Sequence, residues 1–311
     1  MELHQLRCFM AIIEEGGFNR ATTRLHITQP ALSYQIKQLE QELGVRLFNR
    51  RPRGVSPTEA GRVLFEHTKE VMETVRQARR AVEELAEGVA GEIRIGTINS
   101  VGIYFLPQVL WITREIYPTA SPTVLYRNNS EILEALLSNS IDLALVANPR
   151  ADRRLQQETI IEERVSLVCG QTHPFYGRDV VRPSELKGMP FISLSQDSPT
   201  GRIVSDLLAR LGVSVKSVAS TDNVETVKKM VEIGLGAAFL PDMVTRSEVA
   251  CAGGPKGSLS RIDVGPPIMR RIALVTWKQF EMSQATEAFV EELRQYGSTW
   301  KGCLESGDSD A

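Results

Sequence analysis

The longest regular pattern in this sequence lies between Thr58 and about Val89, which is typical of one uninterrupted helix. Within it, one set of residues recurs at alternating steps of four and three, and every member except Thr68 is apolar: Leu64, Thr68, Val71, Val75, Ala78, Val82, Leu85 and Val89. This is the a/d seam of a coiled coil over more than three heptads, and it predicts a long helix paired with another helix. Charged residues elsewhere on the helix leave the apolar seam narrow, which favours pairing between two chains over packing on the helix's own C-terminal domain. A homodimer is therefore expected.

The long helix also divides the chain. At 311 residues the protein exceeds one ordinary core, and its content of 42% apolar and 24% charged residues is that of a globular protein. We predict a first domain over residues 1–58, a linker helix over 59–90 and a second domain over 91–297. Residues 298–311 are polar, with Gly, Ser and Asp, and are expected to form a disordered tail.

The N-terminus has no basic segment followed by an apolar run, and no apolar stretch reaches the roughly 20 residues that span a bilayer. The sequence predicts a cytoplasmic protein without a membrane partner. Its four cysteines are scattered and lack metal-type spacing, so free thiols are expected in a reducing compartment. A redox role for Cys169 or Cys251 is the alternative, although no CxxC pair supports it.

Two short helices joined by a tight turn are predicted between Asn19 and Gly44. Thr28 is a plausible N-cap, and Pro30 lies just inside the second helix, which runs to Leu43. Such a pair forms a helix-turn-helix, whose second helix can enter the DNA major groove. Its outward face carries Gln29, Ser33, Tyr34 and Lys37. These side chains can contact bases or phosphates, although an ordinary exposed polar face has the same composition.

The residues after this helix favour DNA recognition over a merely exposed face. Two short extended pieces, residues 47–49 and 55–56, flank a Pro-Arg-Gly turn and predict a wing. Its basic residues, Arg46, Arg50, Arg51 and Arg53, are suited to phosphates or the minor groove. The net charge of −2 argues against a protein that coats nucleic acid through charge alone, but not against one that reads a sequence.

The same segment resembles the signature of LysR-type transcriptional regulators. The motif reads Ala21-Thr22-x-x-Leu25-His26-Ile27-Thr28-Gln29-Pro30-Ala31-Leu32-Ser33-x-Gln35-Ile36-x-x-Leu39-Glu40-x-Glu42-Leu43-Gly44-Val45-x-Leu47-Phe48-x-Arg50, followed by Ser56-Pro57-Thr58-Glu59-Ala60-Gly61. Thr22 departs from the family's common alanine, and Tyr34 stands where many members carry arginine. The motif lies within the first 61 residues, about a fifth of the chain, and is highly specific.

The resemblance implies a sequence-specific transcription regulator and assigns roles to individual residues. Gln29, Pro30, Ser33 and Tyr34 would lie at the groove, with Arg50 and Arg53 near the DNA backbone; with Thr28 and Lys37 these form the predicted DNA-binding set. Family linker helices pair antiparallel between subunits, and the usual assembly is a homotetramer. A two-fold dimer predicts an inverted-repeat promoter site on double-stranded DNA. RNA polymerase would be a further partner if the protein is an activator.

From Gly91 onward, short β-rich runs alternate with helical runs. Strands over 92–96, 123–126 and 142–147 enclose two helices, the second capped by Ser130, and this βαβαβ order predicts a parallel sheet. The chain should cross into a second lobe near residues 164–169. In that lobe a helix is predicted to begin with Asp222 as its N-cap. The chain should then return to the first lobe through residues 271–277 and end in a helix that finishes at Tyr296. An α/β fold of two lobes resembles periplasmic binding proteins and the effector domain of LysR-type regulators.

Three turns rich in Ser, Thr and Asn precede helices at the expected interlobe cleft. Helix N-termini attract anions, so we predict a small-molecule effector, an organic acid or another anion, and no cofactor. The predicted contacts are Ser100, Val101, Asn129, Ser130, Thr200, Gly201 and Arg202. Plain helix capping is the alternative role for these residues.

An enzyme is the first rival interpretation. No nucleophile elbow, phosphate loop, HExxH helix or paired Cys/His ligand set occurs in the sequence, so no catalytic or metal-binding residues are predicted. A solute-binding protein of a transporter is the second rival, because the C-terminal region resembles one. The N-terminal helix-turn-helix and the lack of an export signal argue against it.

Overall fold

The computed structural model of the protein describes residues 1–51, 54–87, 91–246, 257–278 and 282–305. These residues fold into two compact units, Met1–Ala86 and Glu87–Ala311. Whether residues 59–90 act as a separate linker stays a prediction, because the boundary between the units falls inside the long helix. Among the described residues, no helix combines the length and apolar character required to cross a bilayer.

The first unit is a winged helix-turn-helix followed by a long helix. Its elements are α1 (Leu3–Glu14), α2 (Phe18–Leu25), α3 (Gln29–Leu43), β1 (Phe48–Arg51), β2 (Gly54–Pro57) and α4 (Glu59–Glu87). Helix α3 begins as predicted, because the Thr28 hydroxyl accepts the Ala31 N–H at 3.4 Å. It ends at Gly44, whose left-handed φ of 68° suits a residue without a side chain.

The core of the first unit holds α3 and the wing in place. Leu32, Ile36 and Leu39 are buried along one face of α3. The Phe48 ring of β1 packs on Phe9 with centroids 5.4 Å apart, and on Phe18 at 5.8 Å. This packing leaves the opposite face of α3 exposed to solvent.

The second unit is built on a seven-stranded mixed sheet and a separate two-stranded sheet. In chain order its elements are β3 (Gly91–Thr97), α5 (Asn99–Tyr104), α6 (Leu106–Ile116), β4 (Ala120–Tyr126), α7 (Asn129–Leu137), β5 (Leu143–Ala147), β6 (Leu155–Gly170), a 3₁₀ turn (Pro183–Leu186), β7 (Pro190–Leu194), α8 (Pro199–Arg210), β8 (Lys216–Thr221), α9 (Val224–Glu232), β9 (Ala238–Pro241), α10 (Asp242–Thr245), β10 (Leu259–Ile262), β11 (Ile268–Trp277) and α11 (Gln284–Glu305).

Two long antiparallel strands, β6 and β11, connect the two lobes of this unit. In lobe 1, β3 lies between β4 and β5 and is parallel to both, which confirms the predicted parallel arrangement. In lobe 2, β7 and β8 are parallel, and β9 and β10 pair with the far end of β6. The two-lobed α/β architecture is therefore confirmed.

The structure corrects three details of the prediction. Asn128 and Asn223 cap α7 and α9, where Ser130 and Asp222 were expected, because their side-chain oxygens accept the first free N–H groups of these helices. Helix α11 continues to Glu305, into the segment predicted to be a disordered tail. It does so because Trp300 packs edge-on against Phe105, with ring centroids 5.5 Å apart. Residues 306–311 lie outside the described part of the chain.

Candidate functional sites

The exposed face of α3 brings together most of the predicted DNA-binding residues. Gln29, Tyr34 and Lys37 are exposed, with Tyr34 at 60% of its possible surface, and Ser33 is half-buried beside them. Thr28 and Pro30 lie exposed at the start of the helix. A single helix turned outward by its buried leucines thus presents amide, hydroxyl, phenol and ammonium groups on one surface, which suits contact with base edges.

The wing is fixed to α3 through a carboxylate. Glu40 accepts the N–H of Leu47 at 2.7 Å and that of Phe48 at 3.3 Å, so the turn into β1 is tied to the end of α3. Of the predicted backbone contacts, Arg50 is described only as part of β1, and Arg53 lies outside the described residues.

The seam of α4 is partly open in the single chain. Leu64 packs at the edge of the first unit's core, Val71 is 40% exposed and Ala78 is also exposed. Val75 is half-buried. For Val82 and Leu85 only the backbone is described, and Val89 lies outside the described residues.

A cleft of about 880 Å³ lies between the two lobes of the second unit. Lobe 1 contributes the residues that precede and begin α5 and α7, and lobe 2 contributes those around the starts of α8 and α9. Of the predicted effector contacts, Ser100, Asn129, Ser130, Thr200 and Arg202 lie on the cleft wall. The structure does not bring the other two there. Val101 is fully buried, and Gly201 is buried beneath the wall.

Arg270, at the floor of the cleft, belongs to a buried ion pair that the sequence did not predict. Arg270 of β11 lies directly opposite Glu163 of β6 in the strand register, and its Nε donates to the carboxylate at 2.7 Å. The two side chains are 1% and 0% exposed. The Glu163 carboxylate also accepts the backbone N–H of Met243 at 2.9 Å. Because charges buried in this way must be paired, the guanidinium is held in a fixed position.

Arg270 contacts one hydroxyl from each lobe. Its Nη2 donates to Ser100 Oγ of α5 at 3.0 Å, and its Nη1 donates to Thr200 Oγ1 of α8 at 3.2 Å. A guanidinium only donates, so both hydroxyl oxygens act as acceptors here and keep their own protons for another acceptor. The structure gives neither hydroxyl such an acceptor among the described residues. The floor therefore presents a set of donors suited to an anion.

The start of α8 is closely packed beside this floor. Ser198 caps the helix by accepting the Gly201 N–H at 3.0 Å. A Cβ on Gly201 would lie 2.1 Å from the Ser195 carbonyl oxygen, so only glycine fits there. Arg202 Nη1 is held at the rim by donating to the Asp197 carbonyl at 3.0 Å. A second positive charge thus faces the cleft near Thr200.

A polar cluster links the lobes one helical turn away from Ser100. The Tyr104 hydroxyl of α5 donates to the Glu225 carboxylate of α9, and the buried Lys228 ammonium donates to Tyr104 and pairs with Glu225 at 3.2 Å. Burial and the hydrogen bond to Glu225 raise the pKa of Tyr104 to about 12. The phenol therefore stays neutral and donating at physiological pH.

The cysteines do not form a redox pair within the described residues. Cys169 is fully buried in β6, and burial raises the pKa of its thiol to about 11, which disfavours the reactive thiolate. Cys251 lies outside the described residues.

Two family models match the chain. One, described as LysR substrate binding domain, matches residues 86–298. The other, described as bacterial regulatory helix-turn-helix protein of the lysR family, matches residues 3–62. A probable RuBisCO transcriptional regulator of Phaeodactylum tricornutum is 27% identical over 303 residues, which is 94% of this chain and 96% of the relative.

Solved structures show the same fold. Full-length CbnR, a LysR family transcriptional regulator solved with its target DNA, aligns with a TM-score of 0.65 at 21% identity, covering 95% of this chain and 100% of that one. The regulatory domain of CcmR from Synechocystis PCC6803, solved with 2-PG, aligns with a TM-score of 0.60 at 23% identity. That alignment covers 66% of this chain and 96% of the CcmR domain.

Proposed function

The chain belongs to the LysR family of bacterial transcriptional regulators, and we propose that it couples a small anion held between its lobes to the recognition of an inverted-repeat DNA site. The observation that carries the proposal is the contact of Arg270 with Ser100 of lobe 1 and Thr200 of lobe 2.

DNA recognition is assigned to the exposed face of α3. Gln29 can form a bidentate pair with adenine, Ser33 can bond to a base edge, and Lys37 can neutralise a phosphate. Pairing of two chains along the α4 seam would place two such helices in related grooves, which accounts for an inverted repeat. Family resemblance extends this dimer to a tetramer and, for an activator, adds contact with RNA polymerase.

The effector site is assigned to the floor of the cleft. An anion that accepts from Ser100, Thr200 and Arg270 is bonded to both lobes at once, so its binding favours one degree of lobe closure. Linkage then requires that the anion bind the two assembly states of the regulator unequally. The regulatory domain of CcmR, which has the same fold, was solved with 2-PG, and this supports a small-molecule ligand for this domain.

The experiment begins with selection of binding sites by the full chain from fragmented or random double-stranded DNA. We expect an inverted repeat to be enriched. Adding members of a panel of small organic acids should change the affinity of the protein for this site or the length of DNA that it protects. Binding without sequence preference would overturn the assignment of α3, and a footprint indifferent to every acid would overturn control by an anion.

A further inference from the structure

The side-chain amide of Asn129 has one partner and one unused oxygen. Its Nδ2 donates to the Ala147 carbonyl at 2.6 Å, which fixes the direction in which the amide faces. Its Oδ1 is buried and has no hydrogen-bond partner among the described residues. A buried acceptor left unpaired is unfavourable, so such an oxygen in a native structure requires an explanation.

The fold does not use this oxygen. Asn129 is the first residue of α7, but the cap of that helix is its neighbour Asn128, whose Oδ1 accepts the Glu131 N–H at 3.0 Å. Asn129 lies on the cleft wall together with Ser100 and Thr200. A molecule bound in the cleft against Asn129 can supply the donor that this oxygen lacks.

The side-chain oxygen of Asn129 accepts hydrogen bonds, whereas the groups on the floor of the cleft donate them. Arg270 and the hydroxyls of Ser100 and Thr200 present donors, which require acceptor atoms on the ligand. Asn129 Oδ1 presents an acceptor, which requires a donor on the ligand. A fully ionised carboxylate or phosphate has no donor, so a plain anion leaves Asn129 unsatisfied.

We infer that the effector is a small hydroxylated anion, whose charged group binds at Arg270 and whose hydroxyl donates to Asn129 Oδ1. This inference rests on the proposed function and adds the chemical class of the effector. A hydroxyl fits better than an ammonium, because a buried ammonium requires a counter-charge. The carboxylates that line the cleft, Asp197, Asp222 and Glu131, are all exposed.

The test compares acids that differ only in the donor. Affinities of the full chain are measured by calorimetry for malate against succinate and for lactate against propionate, with aspartate and alanine as ammonium-bearing counterparts. We expect the hydroxy acid that fits the cleft to bind about tenfold or more tightly than its deoxy partner, because a site built to bond a hydroxyl rejects the analogue that lacks it. In Asn129→Ala the ratio should fall towards one. In the control Asn99→Ala, which removes another amide on the cleft wall, the ratio should persist.

The affinity ratios measured with the wild-type protein test the inference without any variant. Equal affinity within every pair contradicts the inference and leaves the anion site intact. Tighter binding of aspartate or alanine would mean that the donor on the ligand is an ammonium and not a hydroxyl, which also overturns the inference. If no member of any pair binds, the anion site itself is contradicted, and the inference fails with it.

Discussion

The Arg270 guanidinium and the Glu163 carboxylate lie opposite each other on the two strands that connect the lobes, with a hydrogen bond of 2.7 Å between them. Glu163 fixes Arg270 on one side, and Ser100 and Thr200 accept from it on the other. One buried cation therefore links the crossing strands to both lobes.

Glu163→Gln should destabilise the second unit by about 3–5 kcal/mol, because it leaves a buried guanidinium without its counter-charge. All three tryptophans, Trp111, Trp277 and Trp300, lie in this unit, so their fluorescence during urea unfolding of the full chain reports on it directly. The matched control is Glu158→Gln, which breaks a pair with Arg294 whose side chains are 38% and 47% exposed. That change should cost less than about 1 kcal/mol. Equal costs for the two variants would contradict the structural role of the buried pair.

Gln29→Ala should weaken binding to the selected DNA site by about 1–3 kcal/mol and leave non-specific binding nearly unchanged, because Gln29 is assigned to a base edge. Lys37→Ala is the comparison, because loss of a phosphate contact weakens both kinds of binding. It also lowers the magnitude of the slope of log affinity against log salt concentration by about 1. Titrations of specific and random duplexes at several salt concentrations measure both effects. Equal losses on the two duplexes for Gln29→Ala would rule out base reading by this residue.

Val71→Glu combined with Val75→Glu should separate the two chains that pair along α4, because each chain would place two carboxylates in the apolar seam. Val63 is 54% exposed on the same helix but lies off the seam, so Val63→Glu serves as the control. Light scattering gives the mass in solution. A mass that the double variant leaves unchanged would show that the α4 seam does not hold the subunits together.

Cys169 should resist alkylation in the native protein at pH 8. Its pKa of about 11 lies well above that pH, so the thiol stays protonated, and it becomes reactive only as the pH rises towards 11 or the chain unfolds. Mass spectrometry of iodoacetamide-treated protein, native and in urea, locates the modified cysteines. Modification of native Cys169 at the rate seen in urea would restore a redox role for this residue.

The winged helix-turn-helix and the two-lobed sheet could be predicted because local periodicity, Thr28 and Gly44 mark their elements. The Arg270–Glu163 pair could not be found in this way, since it depends on the register between strands more than a hundred residues apart in the chain. One signal was present. Arg270 occupies an inward position between Ile268 and Ile272, where strand alternation predicts an apolar residue. The extension of α11 was missed because it depends on the distant ring of Phe105.

The decisive measurement for the anion site is the melting temperature of the full chain with increasing concentrations of small organic acids, for the wild type and for Ser100→Ala combined with Thr200→Val. We expect at least one acid to raise the melting temperature of the wild type increasingly with its concentration, and the double variant to lose most of this shift. An undiminished shift in the double variant, or no shift with any acid, would contradict an anion site between the lobes.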